Sequence, residues 1–190
     1  YPDNDLTRFD NYPYDYGSTA AWISYLADQY GGDTFTKALI SNSGNGFNGV
    51  SNVLSSLGYS DNALDAYLNW LVANYLDDTS IDEGKYGYSN LNIKVDLEET
   101  YSSIPISDSS SVNRWGADYY KFRNGQEGFG LEFKGKGGGN DFAVWVVKMG
   151  STSVEVDYMN LDASDYGKHP LPGFGSTFST VIMIVTADEG

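Results

Sequence analysis

The sequence predicts an α+β chain, with a small helical bundle over residues 1–82 followed by an antiparallel, jelly-roll-like β-sandwich over residues 83–190. Three observations predict it. Apolar residues recur at helical spacing up to about residue 76 and at a spacing of two after about residue 90. Gly- and Asn-rich turn clusters punctuate both stretches. A period near 3.6 buries one stripe of a helix and a period of two buries one face of a strand, so the change of period marks a change of architecture.

The first helix is expected within residues 12–32, YPYDYGSTAAWISYLADQYGG. Trp22, Ile23, Leu26, Ala27 and Tyr30 fall on one face, Asp15 or Ser18 can accept the open N–H groups at its start, and Gly31 suits a left-handed C-terminal cap. Tyr14 and Tyr16 are expected to precede this helix in a turn, flanking Asp15. The second helix is capped by Asp33 and carries Phe35, Leu39 and Ile40. The third carries Val50, Val53, Leu54 and Leu57 and ends at Gly58. The fourth opens at Ser60 or Asp61 and lines up Leu64, Tyr67, Leu68, Leu71, Val72 and Tyr75. Short Gly/Asn connections imply a compact bundle.

Asp77 to Tyr88 is expected to be a linker. Beyond it Leu91, Ile93, Val95 and Leu97 alternate with polar residues, as do Val154, Val156 and Tyr158, and both stretches are predicted strands. Trp115–Arg123, Phe129–Lys134, Phe142–Lys148 and Phe178–Ala187 are further candidates. Turns at Lys136-Gly137-Gly138-Gly139-Asn140 and Lys148–Ser151 separate them at sandwich-like spacing. The continuous runs Val144–Val147 and Val181–Val185 suit central strands covered on both faces.

Composition narrows the chemistry. With 11 Lys plus Arg against 26 Asp plus Glu, net charge −15, phosphate-backbone binding is not expected, and no local basic patch offsets that balance. No apolar run approaches the roughly 18 residues of a membrane span. The absence of Cys removes disulfides, thiolate metal sites and a Cys nucleophile. An acidic, Cys-free chain rich in Tyr, Ser, Asn and Gly fits an extracellular protein of a microbe. It opens at Tyr1, with no leader pattern, which is expected of a processed or excised piece.

Few residue patterns carry chemistry. The sole histidine, His169 in GKHPLPGFG, is expected in a surface loop, and no G-x-S-x-G elbow supplies a nucleophile for it. Gly44-Asn45-Gly46-Phe47-Asn48-Gly49 has G-x-G-x-x-G spacing but follows a helix, so it is expected to be a flexible helix connection. Asp3, Asp5 and Asp10 are weak calcium candidates, since dense hard oxygens suit that ion. The second acidic cluster, Asp77, Asp78, Asp82 and Glu83, is expected to be solvated. Tyr14 and Tyr16 can donate phenolic hydrogen bonds to a developing oxyanion.

Tyr14-Asp15-Tyr16-Gly17, the helix ending Tyr25-Leu26-Ala27-Asp28-Gln29-Tyr30-Gly31, Phe35 to Ile40, Gly46, Val50 to Leu57, Gly58 and the Trp70 to Leu76 helix together resemble the C-terminal helical subdomain of gluzincin metallopeptidases, a thermolysin-like lobe. The hyicolysin-like secreted enzymes of the M30 type are the nearest of these. Tyr14-x-x-Gly17 is also similar to the Y-x-x-G turn of M1 aminopeptidases. The resemblance implies a lobe forming one wall of a peptide cleft, Tyr14 as candidate oxyanion stabiliser with Tyr16 as alternate, and zinc in the intact enzyme. It also implies a partner, the missing N-terminal catalytic subdomain, and a peptide or protein substrate. The H-E-x-x-H part and the downstream zinc glutamate have no counterpart here, so the chain alone is expected to be inactive. Competing expectations are a sandwich that binds carbohydrate or a cell-surface partner through Trp115, Tyr119, Tyr120 and Trp145, and a surface-layer structural protein.

Overall fold

The computed structural model describes residues 1–136 and 141–188, so the turn expected at Lys136–Asn140 lies, past Lys136, outside the described residues. The chain forms two compact units, a helical unit over Leu6–Val95 and a β unit made of Tyr1–Asp5 together with Asp96–Gly190. Both differ from the expected division at residues 82/83. The boundary falls later, and the first five residues belong with the strands. No helix among the described residues is long and apolar enough to cross a membrane.

The helical unit contains α1 (Pro13–Gln29), α2 (Asp33–Ser41), α3 (Gly46–Ser56) and α4 (Ala63–Leu76). Each of the four expected helices is present. Gly31 takes φ 97° and Gly58 φ 86°, and the next residues' N–H groups return to the Ala27 and Leu54 carbonyls at 2.8 and 3.0 Å. These are Schellman ends, which need a left-handed residue that glycine adopts without strain. The cap of α4 is Asn62, not Ser60 or Asp61: its Oδ1 accepts from Leu64 N at 2.8 Å and Asp65 N at 3.1 Å. Gly32, not Asp33, caps α2, whose Phe35 is fully buried while Ile40 is 81% exposed. The Gly44–Gly49 stretch connects helices only as far as Asn45: Gly46 opens α3, and a Cβ on Gly49 would sit 2.6 Å from the Gly44 carbonyl oxygen.

The core of this unit is aromatic. Trp22 lies 5.4 Å from Trp70, 6.1 Å from Phe47 and 6.3 Å from both Tyr25 and Tyr67, ring centre to ring centre. Stacked pairs with Tyr25 and Phe47 and edge-to-face pairs with Tyr67 and Trp70 add to the large apolar area each ring buries. The expected linker Asp77–Tyr88 is a packed part of the unit, with Tyr86 and Tyr88 buried. The Tyr25 hydroxyl donates to the Lys85 carbonyl at 3.1 Å, Gln29 Nε2 donates to the Gly84 carbonyl at 3.0 Å, and the Tyr88 hydroxyl donates to the buried Asn74 on α4. Of the second acidic cluster, Asp77 accepts from the Tyr88 and Ile93 N–H groups and Asp82 pairs with Lys85 at 2.6 Å. These carboxylates tie the segment down.

The β unit has β1 (Glu99–Tyr101), β2 (Ala117–Arg123), β3 (Gly130–Lys134), β4 (Phe142–Met149), β5 (Val154–Tyr158), β6 (Tyr166–Pro170) and β7 (Thr180–Ala187). A five-stranded sheet runs β1-β2-β7-β4-β5, and β3 pairs with β6 in a second sheet. The five-stranded sheet is mixed, because β1 runs parallel to β2 while the other neighbours are antiparallel. Leu91–Leu97 is not a strand. Its period of two survives as alternating exposure, but the stretch has no ladder partner among the described residues and the Ile93 N–H goes to the Asp77 carboxylate at 2.8 Å. The central place of β7 explains its continuous apolar run, with Val181 and Val185 buried on one face and Ile182 and Ile184 on the other. Val144, Val146, Val181, Val185 and Phe122 of the large sheet share one core with Leu131 of β3 and with Leu171 and Phe174 beyond β6.

Candidate functional site

The tyrosines singled out in the sequence sit at the start of α1. Pro13 supplies a preset φ and lacks the N–H that a first helical turn would leave open, so the helix begins there, earlier than expected. Buried Asp15, third in the helix, accepts from Tyr12 N and from Asp10 N through Oδ2, each at 2.9 Å. Its negative charge also suits the positive end of the helix. Ser18 plays no capping role; its hydroxyl donates to the Tyr14 carbonyl at 2.9 Å. Tyr14-x-x-Gly17 is therefore helix, not a turn before one.

Because Asp15 faces inward, its neighbours face out: Tyr14 is 38% and Tyr16 56% exposed. Tyr14 stacks on Tyr12 with centroids 5.2 Å apart, and Phe9 meets the Tyr16 ring edge-on at 4.9 Å. The Tyr16 hydroxyl donates to Asn11 Oδ1. The result is an exposed aromatic row at the positive end of a helix, able to stack on a ring or an extended backbone.

The other expected sites are dispersed. Asp3 lies in the β unit, where it accepts from Asn113 N at 2.6 Å, and Asp5 ends the same N-terminal segment; Asp10 lies in the helical unit, paired with Arg8 at 2.7 Å. Among the described residues, no three or more His, Cys, Asp or Glu side chains form a group set to hold a metal. Of the aromatic residues proposed for the sandwich, Tyr119 is fully buried and Trp115, Tyr120 and Trp145 are half-buried. His169 is on β6, not in a loop. Its Nε2 is 3.2 Å from Asp157 Oδ2, which also holds Lys148 Nζ at 2.8 Å.

Two polar features escape the sequence patterns. Lys148, 7% exposed at the end of an apolar run, also pairs with Glu155 at 2.6 Å. Burial alone would lower its pKa, but the hydrogen bonds to Asp157 and Glu155 outweigh that and raise it, so the amine stays charged and is no nucleophile. The network ties β4, β5 and β6 together. The second feature is Asp118, 3% exposed on β2, whose carboxyl is pushed up to about 6 by burial first and then by the charge of Asp3, with Glu98 adding to it, while the Tyr120 hydroxyl donates to it at 3.0 Å. A polar residue at a core position of a strand is the signal that would have found both.

Asp118 gives a pH prediction. Its folded pKa is raised, so the folded state holds an extra proton between about pH 4 and 6, and stability falls as pH rises through that window. The upper limit of the loss is about 3 kcal/mol, since each tenfold change in proton affinity is worth about 1.4 kcal/mol. Asp118→Asn, which keeps an acceptor for Tyr120, is expected to be more stable than the parent at pH 7 and to flatten the urea midpoint between pH 4 and 6. An unchanged profile would assign the dependence to other carboxyls.

Comparison of the chain with known protein families, with curated proteins and with solved structures gives no significant match in any of the three. The functional reading therefore stands on the residues and their arrangement.

Proposed function

We propose that the chain is the non-catalytic C-terminal portion of a longer, secreted zinc-metallopeptidase-like protein. The helical unit is its thermolysin-like lobe, forming one wall of a peptide cleft, and the β unit is a jelly-roll-like sandwich whose two sheets are held by their common core. One observation carries the reading: α1 buries Trp22, Tyr25 and Leu26 on one face while its first turn leaves Tyr14 and Tyr16 exposed at the positive end of the helix. A phenol at such a place suits donation to a peptide oxyanion that the catalytic subdomain brings to it. The N-terminal catalytic subdomain is the partner, and a peptide or protein the substrate.

The residues present do not fit a catalytic zinc site of their own. The chain has one His and no Cys, and that His is engaged with Asp157. After exhaustive chelation and zinc replenishment the chain is expected to retain no stoichiometric zinc by metal analysis and to cleave neither casein nor a peptide library. Stoichiometric zinc with turnover would overturn the assignment. The parentage is tested by the reading frame upstream of Tyr1, which is expected to encode H-E-x-x-H followed by a helix bearing the glutamate ligand; a start codon or an unrelated domain there would sink it.

The exposed row Phe9, Tyr12, Tyr14 and Tyr16 also favours a second reading, a binding module for carbohydrate or a cell-surface partner. In that case the recognition surface is this row on the helical unit, since Trp115, Tyr119, Tyr120 and Trp145 on the β unit are buried or half-buried.

A further inference from the structure

Where β4 begins and β7 ends, the β unit brings acidic residues together. Phe142 pairs with Ala187, which places Asp141 and Asp188 side by side, and Asp188 N donates to the Asp141 carbonyl at 2.9 Å. Asp141 N in turn donates to Asp165 Oδ1 at 3.2 Å, just before β6. The backbone N–H of Gly135 fixes Asp165 from the other side by donating to its carbonyl at 2.9 Å, and a Cβ on Gly135 would lie 2.7 Å from that of Asp165. Asp165 is held closely in place.

Two oxygens in this corner are unaccounted for. Asp165 is only 1% exposed and its Oδ2 has no hydrogen-bond partner among the described residues, and Asp188 Oδ1 is likewise buried without one. A buried carboxylate oxygen without a donor is costly, and carboxylates that share a corner repel as well. A cation between them would offset both costs.

The geometry points to a calcium site at this corner, anchored by the buried Asp165 and Asp188 oxygens and flanked by Asp141. Hard anionic oxygens select a hard cation, and calcium accepts irregular coordination completed by carbonyls and water where magnesium demands a near-ideal octahedron. Among the described residues, three side chains do not already converge on one point. The site is accordingly a two-carboxylate anchor of low affinity, on the order of 10⁻⁴–10⁻³ M as in extracellular modules. It is separate from the Asp3, Asp5 and Asp10 expectation and independent of the peptidase reading.

The test is a thermal melt of the whole chain, chelated and then titrated with calcium chloride at constant ionic strength, alongside calorimetric titration. Calcium at about 10 mM is expected to raise Tm by about 5–10 °C, and magnesium at the same concentration by much less. Asp165→Asn and Asp188→Asn, which keep the shape and relieve repulsion, are each expected to lose the calcium shift while melting no lower than the parent without calcium. Having two variants keeps the test sound if one fails to fold. No calcium shift in the parent, an equal shift with magnesium, or a shift that persists in both variants would each overturn the proposal.

Discussion

Trp22→Ala is expected to destabilise the helical unit by about 3–5 kcal/mol, the range for emptying a large aromatic site in a packed core. Trp22 is buried and contacts rings from α1, α3 and α4, so its removal opens a cavity where three helices meet. These helices are 17, 11 and 14 residues long, at or near the length that is marginal in isolation. Loss of their shared core should therefore cost helix content as well as packing. The measurement is urea unfolding followed at 222 nm, with Ile40→Ala, at an 81% exposed position of α2, as the control, expected to change stability by no more than about 0.5 kcal/mol. Equal effects from the two substitutions would mean that the aromatic cluster does not organise the unit.

In a full-length protein carrying the catalytic subdomain, Tyr14→Phe is expected to lower kcat by about 10²-fold with little change in KM. A phenolic donor that meets charge only as the oxyanion develops lowers the barrier without tightening the ground state. Phe keeps the ring, so the stack on Tyr12 is retained and only the hydroxyl is tested. Tyr16→Phe is expected to have the smaller effect, since Tyr14 and not Tyr16 stands at the tyrosine of the Y-x-x-G pattern. A larger loss from Tyr16→Phe would exchange the two roles. If both were silent, the row would be left to the binding reading.

Much of the fold was legible because local chemistry and burial agree. The apolar stripe marks α1, and Gly31 and Gly58 mark the C-terminal ends of α1 and α3, since few residues other than glycine accept the left-handed conformation there. The runs at Val144 and Val181 announce interior strands. Other elements were not legible. β6 reads Tyr-Gly-Lys-His-Pro, a polar stretch that is a strand only because β3 lies beside it, and β1 is three residues at a sheet edge. Leu91–Leu97 shows the converse, an alternating pattern left without a partner strand among the described residues. Periodicity reports which side of a segment is covered, and hydrogen-bonded pairing is a property of two segments.

The candidate site divides in the same way. The sequence by itself determined the two periodic halves, the acidic balance, the want of zinc ligands and the concentration of tyrosine around Asp15. Only the tertiary structure decided that Asp15 turns inward and sends Tyr14 and Tyr16 out, and that Asp3 and Asp10 part into different units. It alone joined Lys148, Asp157 and His169, and gathered Asp141, Asp165 and Asp188 from three strand ends. The physical reason is range. Helix spacing and caps act over a few residues and are written in order along the chain, whereas charge pairing, burial and strand neighbours join residues tens of positions apart and exist only once the backbone has closed around them.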